Sequence, residues 1–585
     1  MKVLAVLLCA SLSGGADKPT SEATANPSHP LVSYLAGELD YSMANLKTDE
    51  GTKPYYIAYT ITDVKSVAVS ARLGALYRSD DDHGRVLDVD VRVGDYELDS
   101  THQIRGGRGR ITRGFGGGAR SVSVEDNPAA IHHALWLSTD SAFQRAVQRY
   151  QRVKTNMKTM VEEEGRADDF SREDPSVYAE EPVAVELDRK AWEGLVRRVS
   201  KLGLKYPLIY TSSVSISGTA ENRYMATSEG TRLQTGRELW RVAVSASTKA
   251  DDGMELSQSH LFSASSEGKL PSEEAVLAAF QGVIDQALAL REAPVVEPYT
   301  GPAILLNRAS GVFFHEIFGH RIEGHRQKSV EEGQTFTKMV GKSVLPDFLS
   351  VIDDPTRKEV AGVDLRGHYR YDDEGVLGSR VDLVKSGILQ TFLLSRSPVA
   401  NFKKSNGHGR REPGRAVVSR QGNLIVESTK SVPFATLREQ LIAECKRQEK
   451  PYGFLFEDIT GGFTTTGRGG PQAFKVLPVV VYRIYADGRP DELVRGVDIV
   501  GTPLSCFSRI MATGDDPAVF NGSCGAESGW VPVSAVSPSI LVEQIEIEKR
   551  ERSQDRLPIL SPPIAVGDDE TKDATRKPSA DQEEL

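Results

Sequence analysis

Two histidines and a glutamate in one short apolar stretch are the residues of this sequence best suited to chemistry. Residues 311–325 read GVFFHEIFGHRIEGH, in which His315, Glu316 and His320 form the pattern H-E-x-x-x-H. Neutral imidazole nitrogens suit Zn²⁺, and a glutamate beside the first histidine is placed to take a proton from a water that the metal activates. The pattern indicates a hydrolytic metal site. The alternative is two histidines with ordinary hydrogen bonds on a buried helix.

The spacing of the two histidines constrains the backbone between them. At positions i and i+5 they lie about 140° apart around an ideal helix, so one regular helical face does not present both. The sequence therefore predicts either a π-type bulge or a helix that ends near Gly319, whose missing side chain permits the departure. The apolar residues around the motif predict that it is buried beside a core: Phe313, Phe314, Ile317 and Phe318.

Two residues are candidates for a third protein ligand. His325 follows His320 by five residues, and Cys524 lies between small residues in the sequence NGSCG. The four cysteines are too few for a disulfide framework, and removal of Cys9 with a signal peptide would leave an odd number. One cysteine then needs another role, and zinc sites with mixed Cys and His ligands are well known.

The composition excludes several classes of protein. The chain has 585 residues, of which 39% are hydrophobic and 26% charged, and its formal net charge is −10. These values are typical of a globular protein with several domains and argue against a protein that coats nucleic acid. No apolar run approaches the length of a membrane span. One segment rich in glycine and arginine, residues 105–120, is interpreted as a surface loop rather than an RNA-binding segment.

The order of the predicted elements indicates an α+β protein. Residues 1–16 resemble a signal peptide, because Lys2 precedes an apolar run and small residues follow it. Further boundaries are predicted from composition. They are a linker at 17–30, an N-terminal α+β domain at 31–293, a proline-rich linker at 294–302, a strand-rich domain at 303–548 and a disordered acidic tail at 549–585.

Periodicity predicts individual elements within the N-terminal domain. Residues 55–62, 66–76 and 85–93 alternate as strands do, and they are rich in β-branched side chains. Residues 273–290 have helical periodicity, and Ser272 is placed to cap their N-terminus.

The C-terminal half resembles a known family, the TldD/PmbA metallopeptidases. The motifs that carry the resemblance are, in chain order, EPYTGP at 297–302, HEIFGH at 315–320, IEG at 322–324, DDEG at 372–375, GILQ at 387–390, GHGRRE at 407–412, VRG at 494–496, SCG at 523–525 and PVS at 532–534. They span residues 297–545 in the order expected for the family, whereas the N-terminal half matches by the order of its elements.

The resemblance implies a specific site and activity. It implies that His315, His320 and Cys524 bind one zinc ion per chain and that Glu316 is the catalytic base. It further implies hydrolysis of unfolded or extended peptides, in a homodimer or in a heterodimer with a metal-free paralogue. Because this chain keeps all the metal residues, it is similar to the metal-binding TldD type.

Other residues are candidates for supporting roles. Glu323 is either a hydrogen-bond partner of a zinc histidine or a surface carboxylate. His408, Arg410 and Arg411 either stabilise the oxyanion of the reaction or form a plain turn with solvated arginines. Two features depart from the family pattern: His325, which stands where the family has an acidic residue, and residues 461–474, which we expect near the substrate path.

A second interpretation is not enzymatic. In this interpretation, the chain is a peptide-binding or scaffolding subunit with a structural zinc ion. His325 is then a fourth protein ligand, and no coordination position remains for water. The location also has two alternatives: an exported protein if the N-terminal segment is a signal peptide, and a cytoplasmic one otherwise.

Overall fold

The computed structural model describes residues 28–104, 117–158, 167–328, 332–468, 474–501 and 506–550. The predicted signal peptide, most of the linker after it, most of the glycine- and arginine-rich segment and nearly all of the acidic tail lie outside these residues. The boundaries predicted for the two domains stay predictions.

The N-terminal part is one large sheet with helices on one face. Its elements are, in chain order, α1 (Pro30–Asn45), β1 (Pro54–Arg72), β2 (Ala75–Val93), β3 (Gly117–Val122), α2 (Pro128–Lys158), β4 (Val177–Ala179), α3 (Arg189–Ser200), β5 (Thr211–Thr227), β6 (Arg232–Lys249), β7 (Glu255–Ala264) and α4 (Glu273–Glu292). The strand order is β3-β2-β1-β5-β6-β4, and β7 also pairs with β6. All pairs are antiparallel except β4 with β6.

The alternation of side chains along the long strands decides which face the helices cover. Alternate residues of β6, such as Trp240 and Val242, pack with α3 and α4, while Ile57 and Tyr59 of β1 pack with α1 and α2. The opposite face meets the C-terminal part, where Met225 of β5 shares a cluster with Tyr371. The N-terminal sheet therefore lies between its helices and the C-terminal part.

Two local predictions for this sheet had different outcomes. The predicted capping of α4 is confirmed, because the Ser272 side chain accepts a hydrogen bond from the backbone N–H of Ala275. The prediction of separate strands at 55–62 and 66–76 is wrong. Residues 54–72 form one continuous strand, β1, which pairs with β2 and β5 across the predicted break at 63–65, and residues 75 and 76 already belong to β2. The chain turns only at Leu73 and Gly74, both with positive φ, and a polar run within a strand does not end it when both edges are paired.

The C-terminal part contains most of the strands. Its elements are, in chain order, β8 (Tyr299–Leu305), α5 (Asn307–Ile317), α6 (His325–Lys328), β9 (Leu349–Asp353), β10 (Glu359–Val360), β11 (Val363–Asp364), β12 (Val381–Lys385), β13 (Ile388–Leu389), β14 (Gly409–Arg410), β15 (Val418–Ser419), β16 (Asn423–Ser428), β17 (Ser431–Val432), α7 (Phe434–Arg447), β18 (Tyr452–Thr464), β19 (Phe474–Tyr485), β20 (Glu492–Val494), β21 (Val497–Gly501), β22 (Ile510–Gly514), β23 (Ala518–Ala526), β24 (Gly529–Ser537) and β25 (Ile540–Lys549).

Two sheets of this part enclose the main core. One has six strands in the order β13-β12-β9-β16-β24-β23, so that β23 is at its edge. In the other, β8 pairs with both β18 and β25, which closes β8, β18, β19, β21 and β25 into a small barrel. The predicted α+β class, with a strand-rich C-terminal part, is confirmed.

Helix α5 follows β8 directly and packs against β18 of the barrel and β24 of the six-stranded sheet. It approaches β24 closely, because a Cβ on Gly311 would lie 3.2 Å from the carbonyl oxygen of Ala535. Its apolar residues, together with Phe318, are completely or almost completely buried, as the sequence predicts. None of the helices among the described residues is long and apolar enough to cross a membrane.

We expect Phe318→Ala to lower the free energy of unfolding by about 3–5 kcal/mol. Phe318 has no exposed surface, and its ring centroid lies 5.5 Å from that of Phe336 and 5.8 Å from that of Phe507. Denaturant titration measures the change. Phe463→Ala is the control, because Phe463 is 56% exposed and its loss should change the free energy by less than about 0.5 kcal/mol. Equal effects would contradict the assignment of Phe318 to the core.

Candidate metal centre

The two motif histidines lie on different turns because the helix between them ends. Helix α5 stops at Ile317, and residues Gly319–Arg321 form a 3-10 turn. Of the two backbones that the spacing predicts, the structure has the second. His315 is therefore on the last turn of α5, and His320 is on the tighter turn that follows.

Gly319 is required by close packing rather than by backbone freedom. Its φ is not positive. Backbone freedom, the role predicted for Gly319 from the sequence, therefore does not explain why this position is a glycine. A Cβ at this position would lie 1.9 Å from Oε1 of Gln421. The Gln421 amide in turn donates to the carbonyl oxygen of His315, with an Nε2–O distance of 3.3 Å. Glycine thus lets a side chain from the loop before β16 reach the end of α5.

Strand β23 brings Cys524 to the two histidines. One ligand atom each from His315, His320 and Cys524 lie within 4.8 Å of one another, and all three residues are buried. The distance from Cys524 Sγ to His320 Nε2 is 3.3 Å. Neighbouring ligands of a tetrahedral zinc ion are about 3.5 Å apart, so the spacing and the donor types fit this metal.

Hydrogen bonds within the described chain account for only part of the buried His315 ring. Its Nδ1 has no hydrogen-bond partner among the described residues. Buried polar atoms normally have a partner. This favours a ligand role over the alternative of two histidines held by the core.

Positive charges around Cys524 favour the thiolate form of its side chain. Burial opposes its ionisation, but the positive charges of His320, His315 and Arg420 outweigh burial and hold the thiol pKa well below its ordinary value. Arg420 also donates to the Cys524 carbonyl oxygen at 2.7 Å. Since the thiolate is the form that binds metals, this environment favours ligation.

Glu323 lies behind His320 and is completely buried. Its Oε2 is 3.3 Å from His320 Nδ1 and 2.9 Å from Arg326 Nε, and its Oε1 is 3.5 Å from Arg420 Nε. Burial alone would raise its pKa, but the charges of His320, Arg326 and Arg420 and the hydrogen bond to His320 lower it to about 2. A carboxylate in this position orients the imidazole so that Nε2 faces the thiol.

Glu316 is on the ligand side of the group. Its Oε2 lies 3.9 Å from His320 Nε2, and its side chain is 12% exposed. A Cβ on Gly462 of β18 would lie 3.0 Å from Glu316 Cγ, so the barrel wall is in contact with this side chain. The carboxylate is thus held next to the three ligand atoms without being one of them.

The remaining predicted residues lie outside the group of three. The His325 ring has its Nε2 3.6 Å from Glu527 Oε2. His408 has no exposed surface, and its ring nitrogens contact Asp353 and Asn406. Arg410 donates to the Gln421 carbonyl oxygen, and Arg411 pairs with Asp88 of the N-terminal sheet. His408, Arg410 and Arg411 therefore do not form the plain turn with solvated arginines that was one of the two predictions for them.

Several residues that build the centre were not predicted from the sequence: Arg321, Arg326, Arg420, Gln421 and Glu527. Arg326 contacts Glu323, Glu527 and Thr466, and Arg321 contacts Thr464. These two arginines join the metal-binding segment to the hairpin of β18 and β19, whose residues 469–473 lie outside the described part. The only sign of this role in the sequence is that Arg321 and Arg326 follow His320 by one and six residues.

Comparison with known proteins agrees with this geometry. A family model described as "PmbA/TldA metallopeptidase C-terminal domain" matches residues 298–549. This C-terminal region belongs to the PmbA/TldD metallopeptidase family. A metalloprotease of Methanocaldococcus jannaschii is 28% identical over 231 residues, which are 39% of this chain and 47% of that protein. A zinc metalloprotease TldD homolog of Saccharolobus solfataricus is 25% identical over 251 residues, 42% of this chain and 51% of that protein.

A solved structure has the same fold as this chain. TldE of Thermococcus kodakarensis superimposes with a TM-score of 0.58 at 13% identity, over 89% of this chain and 100% of that one. By sequence, the matched region spans about half the length of the curated relatives. The PmbA/TldD resemblance predicted from the motifs is confirmed.

We expect the stability of the metal-free protein to depend on Glu323 between about pH 4.5 and about pH 2. Because the folded pKa is lowered, the stabilisation is fully present above the ordinary pKa and is lost as the pH falls through the folded one. A shift of this size corresponds to about 3 kcal/mol. In denaturant titrations, Glu323→Gln should be less stable than wild type near neutral pH, and the difference should shrink in acid. Glu255→Gln, at a side chain 67% exposed, is the control. A constant difference would contradict this assignment.

We expect Cys524→Ser to lose the metal and His325→Ala to keep it, because Cys524 belongs to the group of three and the His325 ring lies beside Glu527. Elemental analysis of zinc per chain, with circular dichroism as the check on folding, measures both. Loss of the metal from His325→Ala with retention in Cys524→Ser would overturn the assignment of Cys524.

Proposed function

We propose that this protein is a zinc-dependent peptidase of the TldD type that hydrolyses unfolded or extended peptides, with Glu316 as the general base. The observation that carries the proposal is the buried group of His315, His320 and Cys524 with a glutamate beside it that is not part of the group. Three protein ligands leave a fourth position open, which distinguishes catalytic from structural zinc sites.

The chemistry divides between the metal and the protein. When bound to His315, His320 and Cys524, zinc supplies a Lewis acid that polarises water and the peptide carbonyl. Glu316 accepts a proton from the attacking water and gives it to the leaving amine. Glu323 keeps the His320 ring oriented, while Arg420 holds the Cys524 backbone. The relative of Saccharolobus solfataricus, named a zinc metalloprotease, supports zinc as the metal.

An extended substrate suits the position of Cys524. It lies on β23, which pairs with β24 on one side and is the edge of its sheet among the described strands. An extended peptide that pairs with such an edge would run past the thiol and the two histidines. The predicted dimer, with a second copy or with a metal-free paralogue, and the predicted export remain proposals of the same kind.

We expect Glu316→Gln to lower kcat for an unfolded peptide by at least about a hundredfold and to leave zinc content and thermal stability unchanged. Glu316 is beside the ligands but is not a ligand, so its loss removes the proton acceptor and spares the metal. Fluorogenic peptide assays with elemental analysis measure both. Glu457→Gln, on the same barrel strand as Gly462, is the control. Full activity in Glu316→Gln would exclude this general base.

A further inference from the structure

Four arginines lie together between the N-terminal sheet and the metal-binding half of the molecule. We call Arg237, Arg241, Arg366 and Arg410 the arginine cluster. Arg237 and Arg241 are on β6, on the face away from the helices, whereas Arg366 follows β11 and Arg410 is in β14. Arg237 and Arg410 line a cleft that also contains Val531, the partner of Cys524 in the ladder of β23 and β24.

The cluster contacts the strand that carries the metal ligand. The Arg241 guanidinium donates to Ser523 Oγ at 3.1 Å, and the backbone N–H of Arg366 donates to Asn521 Oδ1 at 3.2 Å. Both acceptors precede Cys524 on β23. The positive charges therefore lie along the edge strand beside which the proposed substrate would run.

Most of these charges have no counter-ion in the protein. Among the described residues, Arg241, Arg366 and Arg410 pair with no carboxylate, and only Arg237 does, with Glu221 at 2.8 Å. Nε and Nη1 of Arg366 and Nε of Arg241 are buried and have no acceptor within the described chain. Buried guanidinium nitrogens without an acceptor indicate that a ligand group is missing.

The four carboxylates that line the cleft have partners in the protein. Asp373 pairs with Arg223, and Asp372 accepts backbone N–H groups. Glu221 pairs with Arg237, and Glu180 accepts from the Tyr178 hydroxyl and the Gly236 N–H. Asp373 also attracts the charge of Arg410. Arg241 and Arg366 are therefore the members of the cluster that no carboxylate of the described chain compensates.

The arginines of the cluster also repel one another. Burial, and then the charges of Arg241 and Arg237, lower the pKa of Arg366 to about 9. Burial and the charge of Arg237 lower the pKa of Arg410, although Tyr369 and Asp373 act in the opposite direction. Because arginine keeps its proton in proteins, the position of Arg366 has an electrostatic cost in the free protein that a bound anion would offset.

We propose that the arginine cluster binds a carboxylate of the peptide substrate, and that the enzyme thereby selects peptides that present one at the β23 side of the metal centre. The planar guanidinium fork binds carboxylates in a bidentate manner. This rests on the proposed function and names its substrate class. The carboxylate is either the free C-terminus or an Asp or Glu side chain, since the two have the same chemistry.

Binding to the full-length zinc-loaded protein with the Glu316→Gln change tests this without turnover. Calorimetry compares a short peptide of alanine and serine as the free acid, as its C-terminal amide, as the amide with one internal glutamate, and as the amide with glutamine there. We expect at least one carboxylate peptide to bind about tenfold more tightly than its neutral match. The comparison of free acid with amide detects recognition of the C-terminal carboxylate. The comparison of glutamate with glutamine detects recognition of a side-chain carboxylate.

Two variants connect any preference to the cluster. Arg366→Gln should remove the preference, because it should weaken the binding of the carboxylate peptide and not that of the neutral one. Arg489→Gln changes an exposed turn arginine that pairs with Asp487, and it should leave the preference unchanged. Equal affinity for charged and neutral peptides in the parent protein would overturn the proposal. So would a preference that survives in both Arg366→Gln and Arg241→Gln, or a loss of binding that is equal for all peptides.

Kinetics on the Glu316-containing enzyme separate this proposal from the proposed function. If no peptide is hydrolysed, the proposed function fails, while the binding comparison still decides the role of the cluster. If all peptides are hydrolysed with the same KM, the peptidase stands and the carboxylate site is wrong. We expect KM, and not kcat, to rise for the carboxylate peptide in Arg366→Gln.

Discussion

The buried carboxylate of Glu323 is the interaction on which the metal centre depends. It has no exposed surface and lies against His320, Arg326 and Arg420. Each cation would be costly to bury alone, and so would the carboxylate. Because Arg420 holds the carbonyl of Cys524 while His320 contacts its thiol, this one side chain sets the relative position of ligands 204 residues apart.

Small residues let the surrounding layers approach closely enough for that contact. A Cβ on Gly311 would press on β24, one on Gly319 would overlap Gln421, and one on Gly462 would crowd Glu316. Each of these glycines therefore sits where two elements meet around α5. At these positions α5, the turn after it, β18 and β24 come together without an intervening side chain, and a close-packed interior does not accommodate an added methyl group without cost.

The N-terminal sheet takes part in the site as well as in the fold. Its helix-free face contributes Arg241 to the strand that carries Cys524, and it holds the C-terminal part through Arg223 and Asp373 and through Glu229 and Arg396. Interfaces of this kind, rich in buried ion pairs, fix geometry more than they add stability. In the proposed function, the sheet would thus influence which peptides reach the metal centre.

The sequence by itself determined the residue types of the candidate site, the glutamate beside the first histidine, the break after α5 and the family resemblance. These follow from residue identity and short spacing, which the tertiary structure does not alter. Only the fold decided that Cys524 rather than His325 joins the group, that Glu323 is buried among cations, and that His408 and Arg411 serve other contacts. Those outcomes depend on sheet pairing, which brings together segments that are hundreds of residues apart in the chain. Local sequence patterns do not predict such long-range contacts.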